Sequence, residues 1–348
     1  MVGLSARDAA DAKAPEVLYL GGFGRSGSTL LERSVGELGD ACAVGELVHL
    51  WERGLGNNEL CGCGQPFRQC PFWTEVGEVA FGGWDALDAD HVASLKHSVD
   101  RNRHFGRLLI GSRFGSFGRR LREYTALYDA IYRAVAQVSG ARLVIDSSKH
   151  ASLALCLRKG SGSRVRIAHV VRDSPAVVYS WTKVVARPEA TGDTMARYTP
   201  GRAALWWDSY NLMFSLIGLT RIPLRRVRYE DFVRDPLETV RGLATWAGSA
   251  SDPADYINAD VVRLTAGHTV AGNPMRFRTG EIAIRRDQEW ASAMAPGLQR
   301  RVRLWTLPFR WRYGYFKRRG ADSQVTISTP LDRGTTREVN SREHSRHL

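Results

Sequence analysis

A loop that combines glycines, hydroxyl residues and one arginine, Gly22-Phe-Gly-Arg-Ser-Gly-Ser-Thr29, has the chemistry to hold a phosphate group. It follows an apolar run at residues 17–20 and precedes apolar residues at helical spacing over 30–38, which predicts a strand, a glycine-rich loop and a helix. The backbone N–H groups of such a loop and the positive end of the helix dipole favour an anion. We therefore expect phosphate contacts from Arg25, Ser26, Gly27, Ser28 and Thr29.

The same loop departs from the nucleoside-triphosphatase pattern G-x-x-x-x-G-K-[ST] in one position. Gly22, Gly27 and Thr29 fit that pattern, but Ser28 stands where the lysine belongs, and the cation is Arg25 instead. An ATPase or GTPase needs the lysine on its β- and γ-phosphates. The loop favours a nucleotide whose terminal group is not a γ-phosphate, and a small-molecule kinase with a degenerate loop is the alternative.

A second arginine, Arg172, follows a predicted strand at residues 165–171, and Ser180 lies about two helical turns further on. In open α/β sheets, ligands bind beyond the carboxyl ends of the strands. Arg172 and Ser180 could therefore hold a second phosphate, although an arginine at a strand end also commonly serves as an ion-pair partner.

These two segments resemble the donor-binding motifs of the sulfotransferases that use 3′-phosphoadenosine-5′-phosphosulfate (PAPS). The stretch 24–29 is similar to their 5′-phosphosulfate loop, in the arginine variant of tyrosylprotein and many bacterial members, and 171–180 is similar to their 3′-phosphate element. The resemblance extends over roughly residues 17 to 315, and only these two motifs are specific. It implies a P-loop-like α/β fold and transfer of a sulfuryl group to an acceptor hydroxyl or amine, without a required metal.

Sulfuryl transfer needs a base for the acceptor proton and cations around the leaving phosphate. The pair Gly45-Glu46 resembles the glycine and the catalytic glutamate of tyrosylprotein sulfotransferases, which makes Glu46 the candidate base, with His49 as the second candidate. By the same resemblance, Lys149 and Arg25 would stabilise the leaving oxygen. The plainer alternatives are a glutamate at the start of a helix and a solvated lysine.

A late loop, His268-Thr-Val-Ala-Gly-Asn-Pro-Met-Arg-Phe-Arg278, resembles the Gly-Asn loop of bacterial members, which we expect to close over the donor. The residues expected to take part are Gly272, Asn273 and Arg276, and Arg276 is the expected phosphate contact. A surface arginine without a ligand is nearly as compatible with the sequence.

Strands must bring these motifs to one edge of a sheet. Apolar runs at residues 17–23, 142–146 and 165–171 and a fourth expected strand at 224–228 alternate with helical patterns, the longest at 119–138 and 201–219, and this alternation predicts a parallel sheet flanked by helices. We expect a flexible leader over 1–15, one α/β domain over 16–320 and a disordered polar tail over 321–348.

The net charge of +13 is concentrated in residues 299–320, which carry eight cations and no acid. Aromatic residues lie among these cations, so the stretch could stack on nucleic-acid bases or contact a lipid surface. The simpler interpretation is a last helical segment that packs its aromatics on the core. We favour a small anionic donor over nucleic acid as the partner, with peripheral membrane contact as an alternative.

Three thiols lie within ten residues at Cys61, Cys63 and Cys70, and the chain has five cysteines in all. Structural zinc normally takes four protein ligands, and no fourth cysteine or downstream histidine lies at zinc-finger spacing. Reduced thiols are therefore expected and no metal is assigned, with a disulfide or zinc as alternatives.

No apolar run approaches the roughly 20 residues of a membrane-spanning helix, and the N-terminus lacks the apolar core of a secretory signal. A cytoplasmic enzyme is therefore expected. The acceptor is predicted only as a carbohydrate, lipid-linked or natural-product hydroxyl, contacted by segments near residues 51–120 and 186–205, and the oligomeric state is not predicted.

Overall fold

A parallel sheet carries the functional loops in the computed structural model, which describes residues 14–110, 115–186 and 194–316. Within these residues, five strands pair in the order β2-β3-β1-β4-β5, and every neighbouring pair is parallel. The strands are β1 (Glu16–Gly21), β2 (Ala41–Gly45), β3 (Leu143–Lys149), β4 (Arg164–Val171) and β5 (Leu224–Arg228). The predicted P-loop-like α/β class is confirmed.

The central strand β1 shows why the sheet needs helices on both faces. Tyr19 belongs to the hydrophobic cluster on one face, Leu18 and Leu20 belong to the cluster on the other, and all three are buried. Successive side chains of a strand point to opposite faces, so an apolar strand of this kind requires cover on both sides.

Helices lie between the strands in sequence and after the last of them. In chain order they are α1 (Ser28–Gly36), α2 (Pro71–Phe81), α3 (Ala89–Val99), α4 (Phe105–Ile110), α5 (Gly115–Ser139), α6 (Ala151–Gly160), α7 (Ser174–Thr182), α8 (Pro200–Gly218), α9 (Tyr229–Arg234), α10 (Pro236–Ala247), α11 (Glu289–Ala293), α12 (Pro296–Trp305) and α13 (Leu307–Arg312). A π-helical segment, Leu50–Gly56, joins the end of β2 to the cysteine-rich loop.

A second, antiparallel sheet was not predicted. It contains β6 (Ile257–Asn258), β7 (Val261–Leu264) and β8 (Gly280–Ala283), in that order. Between β7 and β8 runs the predicted late loop, which contains a 3-10 turn, Pro274–Phe277. The small sheet therefore anchors both ends of the loop that was expected to close over the donor.

Residues 1–13 of the expected leader and the whole expected tail, 321–348, lie outside the described residues, as do 317–320 of the basic stretch. Among the described residues, no helix combines the length and the apolar composition needed to cross a bilayer.

Candidate active site

A cavity of about 770 Å³ opens at the carboxyl ends of β1, β3 and β4. The glycine-rich loop, Glu46, Lys149 and Arg172 all contribute to its wall. Parallel strands end at the same sheet edge, so segments that are more than a hundred residues apart in sequence meet here.

The glycine-rich loop turns sharply between β1 and α1. Gly27 has φ +86°, and a Cβ at that position would come within 2.4 Å of the Tyr229 ring. Arg25 adopts φ +70°, a left-handed conformation that costs free energy in a non-glycine residue and is concentrated at functional sites. The loop therefore needs glycine at position 27, and it holds Arg25 in a strained conformation facing the cavity.

The loop serines divide into two roles. The Ser26 hydroxyl donates to the carbonyl of Phe23 at 2.8 Å and the residue is buried, so this side chain stabilises the turn and does not line the cavity. Ser28 and Thr29 do line it. The expected donor contact from the Ser26 side chain is therefore not what the structure shows.

The Arg25 guanidinium is half-buried beside the cavity. Its carbon lies 5.3 Å from the centre of the Trp181 ring, and the Trp181 indole N–H donates to the carbonyl of Gly24 at 3.1 Å. Burial lowers the pKa of Arg25, while the Glu46 carboxylate acts in the opposite direction. The role of Trp181 in fixing this part of the loop was not predicted.

Glu46 lies between two basic side chains. One carboxylate oxygen pairs with the Lys149 ammonium, and the other lies 3.6 Å from Nε2 of His49. Burial by itself raises the pKa of Glu46, but Lys149 and His49 outweigh it and hold the pKa below its ordinary value. Burial lowers the pKa of His49 to about 4. At neutral pH the cluster therefore contains a carboxylate, an ammonium and a neutral imidazole.

The backbone around Glu46 is fixed from two sides. Its N–H donates to the carbonyl of Val270 at 2.8 Å, and the N–H of Val270 donates to the carbonyl of Val44 at 2.8 Å. On the other side, the N–H of Gly45 donates to the Glu32 carboxylate at 2.7 Å. Strand β2 and the late loop together thus position the candidate base.

Glu32, on α1, was not predicted as a site residue. Its second oxygen accepts from the Ser147 hydroxyl at 2.7 Å, so one buried carboxylate joins the ends of β2 and β3. Burial raises the pKa of Glu32 to about 7 despite these hydrogen bonds. A single glutamate within a predicted helix carries no sequence pattern that would indicate this role.

Lys149 ends β3 in a left-handed conformation with φ +68°. Its ammonium donates to the carbonyl of Ser147 at 3.2 Å as well as pairing with Glu46. The hydroxyl of the preceding residue, Ser148, accepts the N–H of Val48 at 2.9 Å and thereby holds the segment that carries His49. Lys149 is thus an enclosed cation in the site and not a solvated one.

Arg172 and Ser180 both line the same cavity. The Arg172 guanidinium donates to the Asp287 carboxylate at 3.0 Å and to the Asp287 carbonyl at 3.1 Å, and it lies over the Tyr229 ring at 4.5 Å. The cavity wall therefore carries cations from three strand ends, with Arg25 after β1, Lys149 at the end of β3 and Arg172 after β4.

Residues 17–253 match the sequence profile described as the sulfotransferase family. This segment is about two thirds of the 348 residues and includes both anion-binding motifs. The chain belongs to the sulfotransferase family. The prediction of a PAPS-dependent sulfotransferase is thereby confirmed.

Solved structures similar to this sulfotransferase share little sequence with it. The sulfotransferase domain from the curacin biosynthetic pathway is 16% identical, with a TM-score of 0.45, 84% of this chain and 97% of that chain covered. For sulfotransferase STF1 from Mycobacterium tuberculosis H37Rv the values are 15%, 0.39, 72% and 72%. Retinol dehydratase, solved with retinol and PAP, gives 12%, 0.33, 86% and 83%. No curated protein sequence matches the chain.

The late loop of the sulfotransferase differs from the prediction in which arginine faces the cavity. Arg276 is buried and donates to the carbonyls of Thr269 at 2.8 Å and Leu60 at 2.7 Å, so its expected phosphate contact is replaced by a structural role. Arg278, two residues on, lines the cavity. Asn273 also lines it, whereas Gly272 backs Glu46, since a Cβ there would lie 3.0 Å from the carboxylate.

The cysteine cluster of the sulfotransferase has a fourth member that sequence spacing did not reveal. Sγ of Cys61, Cys63 and Cys70 and a ring nitrogen of His268 all lie within 4.8 Å of one another. Because His268 does not lie at zinc-finger spacing from the cysteines, it was not predicted as a member of the cluster. The histidine comes from the late loop, 198 residues after Cys70.

The described part of the basic stretch packs only some of its side chains on the core. Arg310 is buried and pairs with Asp173 at 2.8 Å, next to Arg172, and Tyr313 packs in the core. Trp305, Trp311 and Phe316 are exposed. Part of the stretch thus supports the strand end that carries Arg172, while its exposed aromatics face away from the core.

Proposed function

We propose that this sulfotransferase transfers the sulfuryl group of PAPS to a hydroxyl group of a small carbohydrate, lipid-linked or natural-product acceptor. The observation that carries the proposal is the set of side chains that line one cavity: Arg25 and Lys149 with Glu46, and Arg172 with Ser180. PAPS carries a 5′-phosphosulfate and a 3′-phosphate, so it presents two separated anionic groups, and the cavity wall offers cations from the ends of β1, β3 and β4.

The 5′-phosphosulfate binds in the glycine-rich loop. Backbone N–H groups at the start of α1 and the hydroxyls of Ser28 and Thr29 hold the phosphate oxygens. Arg25 stabilises the negative charge that develops on the bridging oxygen. Because burial has removed part of its water shell, the guanidinium requires little reorganisation in the transition state.

Glu46 acts as the base. The acceptor oxygen attacks sulfur as its proton passes to the carboxylate, the bond between sulfur and the 5′-phosphate oxygen breaks, and adenosine 3′,5′-bisphosphate leaves with the electron pair. Lys149 moves its interaction from Glu46 toward the leaving oxygen. Loss of this cation raises the pKa of Glu46 and makes the carboxylate a stronger base when the donor is in place.

The 3′-phosphate binds at Arg172 and Ser180, with Arg278 as a further cation on the cavity wall. Asp287 pairs with the guanidinium of Arg172 at 3.0 Å. The 3′-phosphate therefore takes the place of the Asp287 carboxylate, so the buried guanidinium is paired with an anion before and after the donor binds.

The acceptor faces the aromatic part of the cavity. Phe23, Tyr198 and Tyr210 contribute to the wall, and Phe23 stacks on Trp181 with ring centres 5.2 Å apart. Rings of this kind pack on the apolar faces of sugars and of natural products, while Glu46 and His49 meet the hydroxyl.

Thermal unfolding of the full chain with adenosine 3′,5′-bisphosphate, with ATP and with neither tests the donor assignment. The bisphosphate should raise the melting temperature by several degrees at saturating concentration, and ATP should raise it much less. Equal shifts would favour a kinase, and no shift with the bisphosphate would refute the assignment.

Arg172→Ala separates the two phosphate sites. Loss of a charge-assisted contact should weaken the bisphosphate by about 10- to 100-fold. Binding of adenosine 5′-phosphosulfate, which has no 3′-phosphate, should change little. Equal weakening of both ligands in a calorimetric titration would contradict the placement of the 3′-phosphate at Arg172.

A further inference from the structure

Four metal-binding side chains form a cluster outside the cavity. Sγ of Cys63 lies 3.6 Å from Sγ of Cys70, which lies 3.3 Å from Nδ1 of His268, and Nδ1 of His268 lies 3.9 Å from Sγ of Cys61. Every separation among the four ligand atoms is below 4.8 Å. Three sulfurs and one imidazole nitrogen thus surround a common point.

These separations match a tetrahedral zinc site. With Zn–S bonds of about 2.3 Å and Zn–N bonds of about 2.0 Å, neighbouring ligand atoms in a tetrahedron lie about 3.5 to 3.8 Å apart. The three measured separations of 3.3, 3.6 and 3.9 Å bracket that range. Three thiolates and one imidazole are also the donor set that structural zinc sites use.

The surrounding backbone holds the ligands in place. Cys61 begins a tight turn in which the N–H of Gly64 donates to its carbonyl at 2.8 Å, and Gly64 takes φ +86°. Cys70 immediately precedes α2, whose residue Trp73 donates from its indole N–H to the carbonyl of His268 at 2.8 Å.

The imidazole of His268 is oriented by a ring contact. Phe72 stacks on it with ring centres 4.6 Å apart and planes inclined by 12°. Cys61 and Cys70 are buried, while Cys63 and His268 are half-buried. The ligands are therefore shielded and ordered by neighbours that do not themselves bind metal, as in a built structural site.

We propose that Cys61, Cys63, Cys70 and His268 bind one zinc ion. With four protein ligands the site is closed, so the zinc has no open position for a substrate and plays a structural part. The spacing Cys-x-Cys is shorter than that of most zinc knuckles, and the fourth ligand is supplied by a distant loop.

The zinc fastens the late loop to the cysteine-rich segment. The N–H of Gly62 donates to the carbonyl of Thr269 at 3.0 Å, and the next residue, Val270, accepts the N–H of Glu46. Val270, whose backbone fixes the candidate base, lies only two positions after the proposed ligand His268. The metal therefore positions Glu46 through the loop without touching the substrate.

The first test is metal analysis of the full chain, purified without chelator, by inductively coupled plasma mass spectrometry. The expected result is about one zinc per chain. His268→Ala and Cys63→Ser should each lower zinc affinity by more than about 100-fold, whereas Cys42→Ala, which changes a thiol outside the cluster, should leave the zinc content unchanged.

A second measurement does not depend on the folding of variants. A mercurial reagent added to the wild-type protein should release one zinc as three thiols react, detected with a colorimetric chelator. Replacement of zinc by cobalt should give the visible absorption of a tetrahedral thiolate site.

Several results would overturn the proposal: purified protein with no zinc and three freely reactive thiols, a Cys63–Cys70 disulfide in non-reducing peptide mass spectrometry, or iron in place of zinc. Because none of these readouts measures sulfuryl transfer, the zinc site and the proposed activity can fail independently.

Discussion

Replacement of Glu46 by glutamine removes the proposed base while keeping the shape of the side chain. A general base contributes about 10²- to 10⁴-fold to a rate, which corresponds to about 3 to 5 kcal/mol of activation free energy. The carboxylate also neutralises Lys149, and both side chains are largely enclosed, at 12% and 14% exposure. Two opposite charges at about 4 Å with an effective dielectric constant of 20 attract by about 4 kcal/mol, so the substitution also releases a cation for the donor.

Glu46→Gln should therefore lower kcat by about 10²- to 10⁴-fold, and the dissociation constant of adenosine 3′,5′-bisphosphate should stay the same or fall. The assay is single-turnover transfer from radiolabelled PAPS to an acceptor found by screening, together with calorimetric titration of the bisphosphate. The matched control is Glu75→Gln, an exposed glutamate on α2, which should behave like the wild type.

Two results would refute the reasoning. If kcat of Glu46→Gln stayed within about threefold of the wild type, Glu46 would not be the base. If His49→Asn lost far more activity than Glu46→Gln, the neutral imidazole, whose pKa burial lowers to about 4, would be the base instead. We expect His49→Asn to lower kcat by less than about tenfold, because the Glu46 carboxylate beside the imidazole remains in place to accept the proton.

The remaining predictions concern residues whose positions in the structure differ from the prediction or were not predicted. Arg276→Ala should destabilise the fold by about 2 to 4 kcal/mol, since it leaves two carbonyls without their donor, whereas Arg278→Ala should keep its stability and weaken the bisphosphate by about tenfold. Urea unfolding and titration of both variants check this pair, and an exchange of the two phenotypes would contradict it. The pKa of Glu32 is about 7 in the folded chain and 4.5 ordinarily, so its stabilising contribution is present below pH 4.5 and is lost as the pH rises through 7. The loss amounts to about 3 kcal/mol at most. Glu32→Gln should remove this dependence of stability on pH between pH 5 and pH 8. If urea unfolding showed the same pH dependence of stability for both proteins, Glu32 would not be its cause.

The sequence predicted the parts of the fold that depend on local pattern. Strands β1, β3 and β4 were found because each is an apolar run bounded by glycine or polar residues, and β5 was predicted at 224–228 although three of its five residues are arginine. Strand β2 was not among the predicted strands, since Ala41, Cys42 and Ala43 are small and carry little strand preference. Strands β6 to β8 have two to four residues each, too few for a periodic pattern.

The site was predicted where a residue type and a neighbouring strand end coincide, as for Arg25, Glu46, Lys149 and Arg172. It was missed where the partner is distant in sequence. His268 joins Cys70 across 198 positions, and Asp287 joins Arg172 across 115, distances at which spacing carries no information. Which of Arg276 and Arg278 faces the cavity depends on the 3-10 turn Pro274–Phe277.

The backbone hydrogen bond between Glu46 and Val270 determines how much of the chain must be present before the site around Glu46 can form. The family match ends at residue 253, before Val270, so a fragment cut at that boundary would contain both donor motifs and the candidate base but not the loop that holds the base. During synthesis, nearly four fifths of the chain must emerge before the candidate base can reach its place. Asn273, Arg278 and Asp287, which also contribute to the cavity wall, emerge later still, so a useful minimal fragment must extend past them.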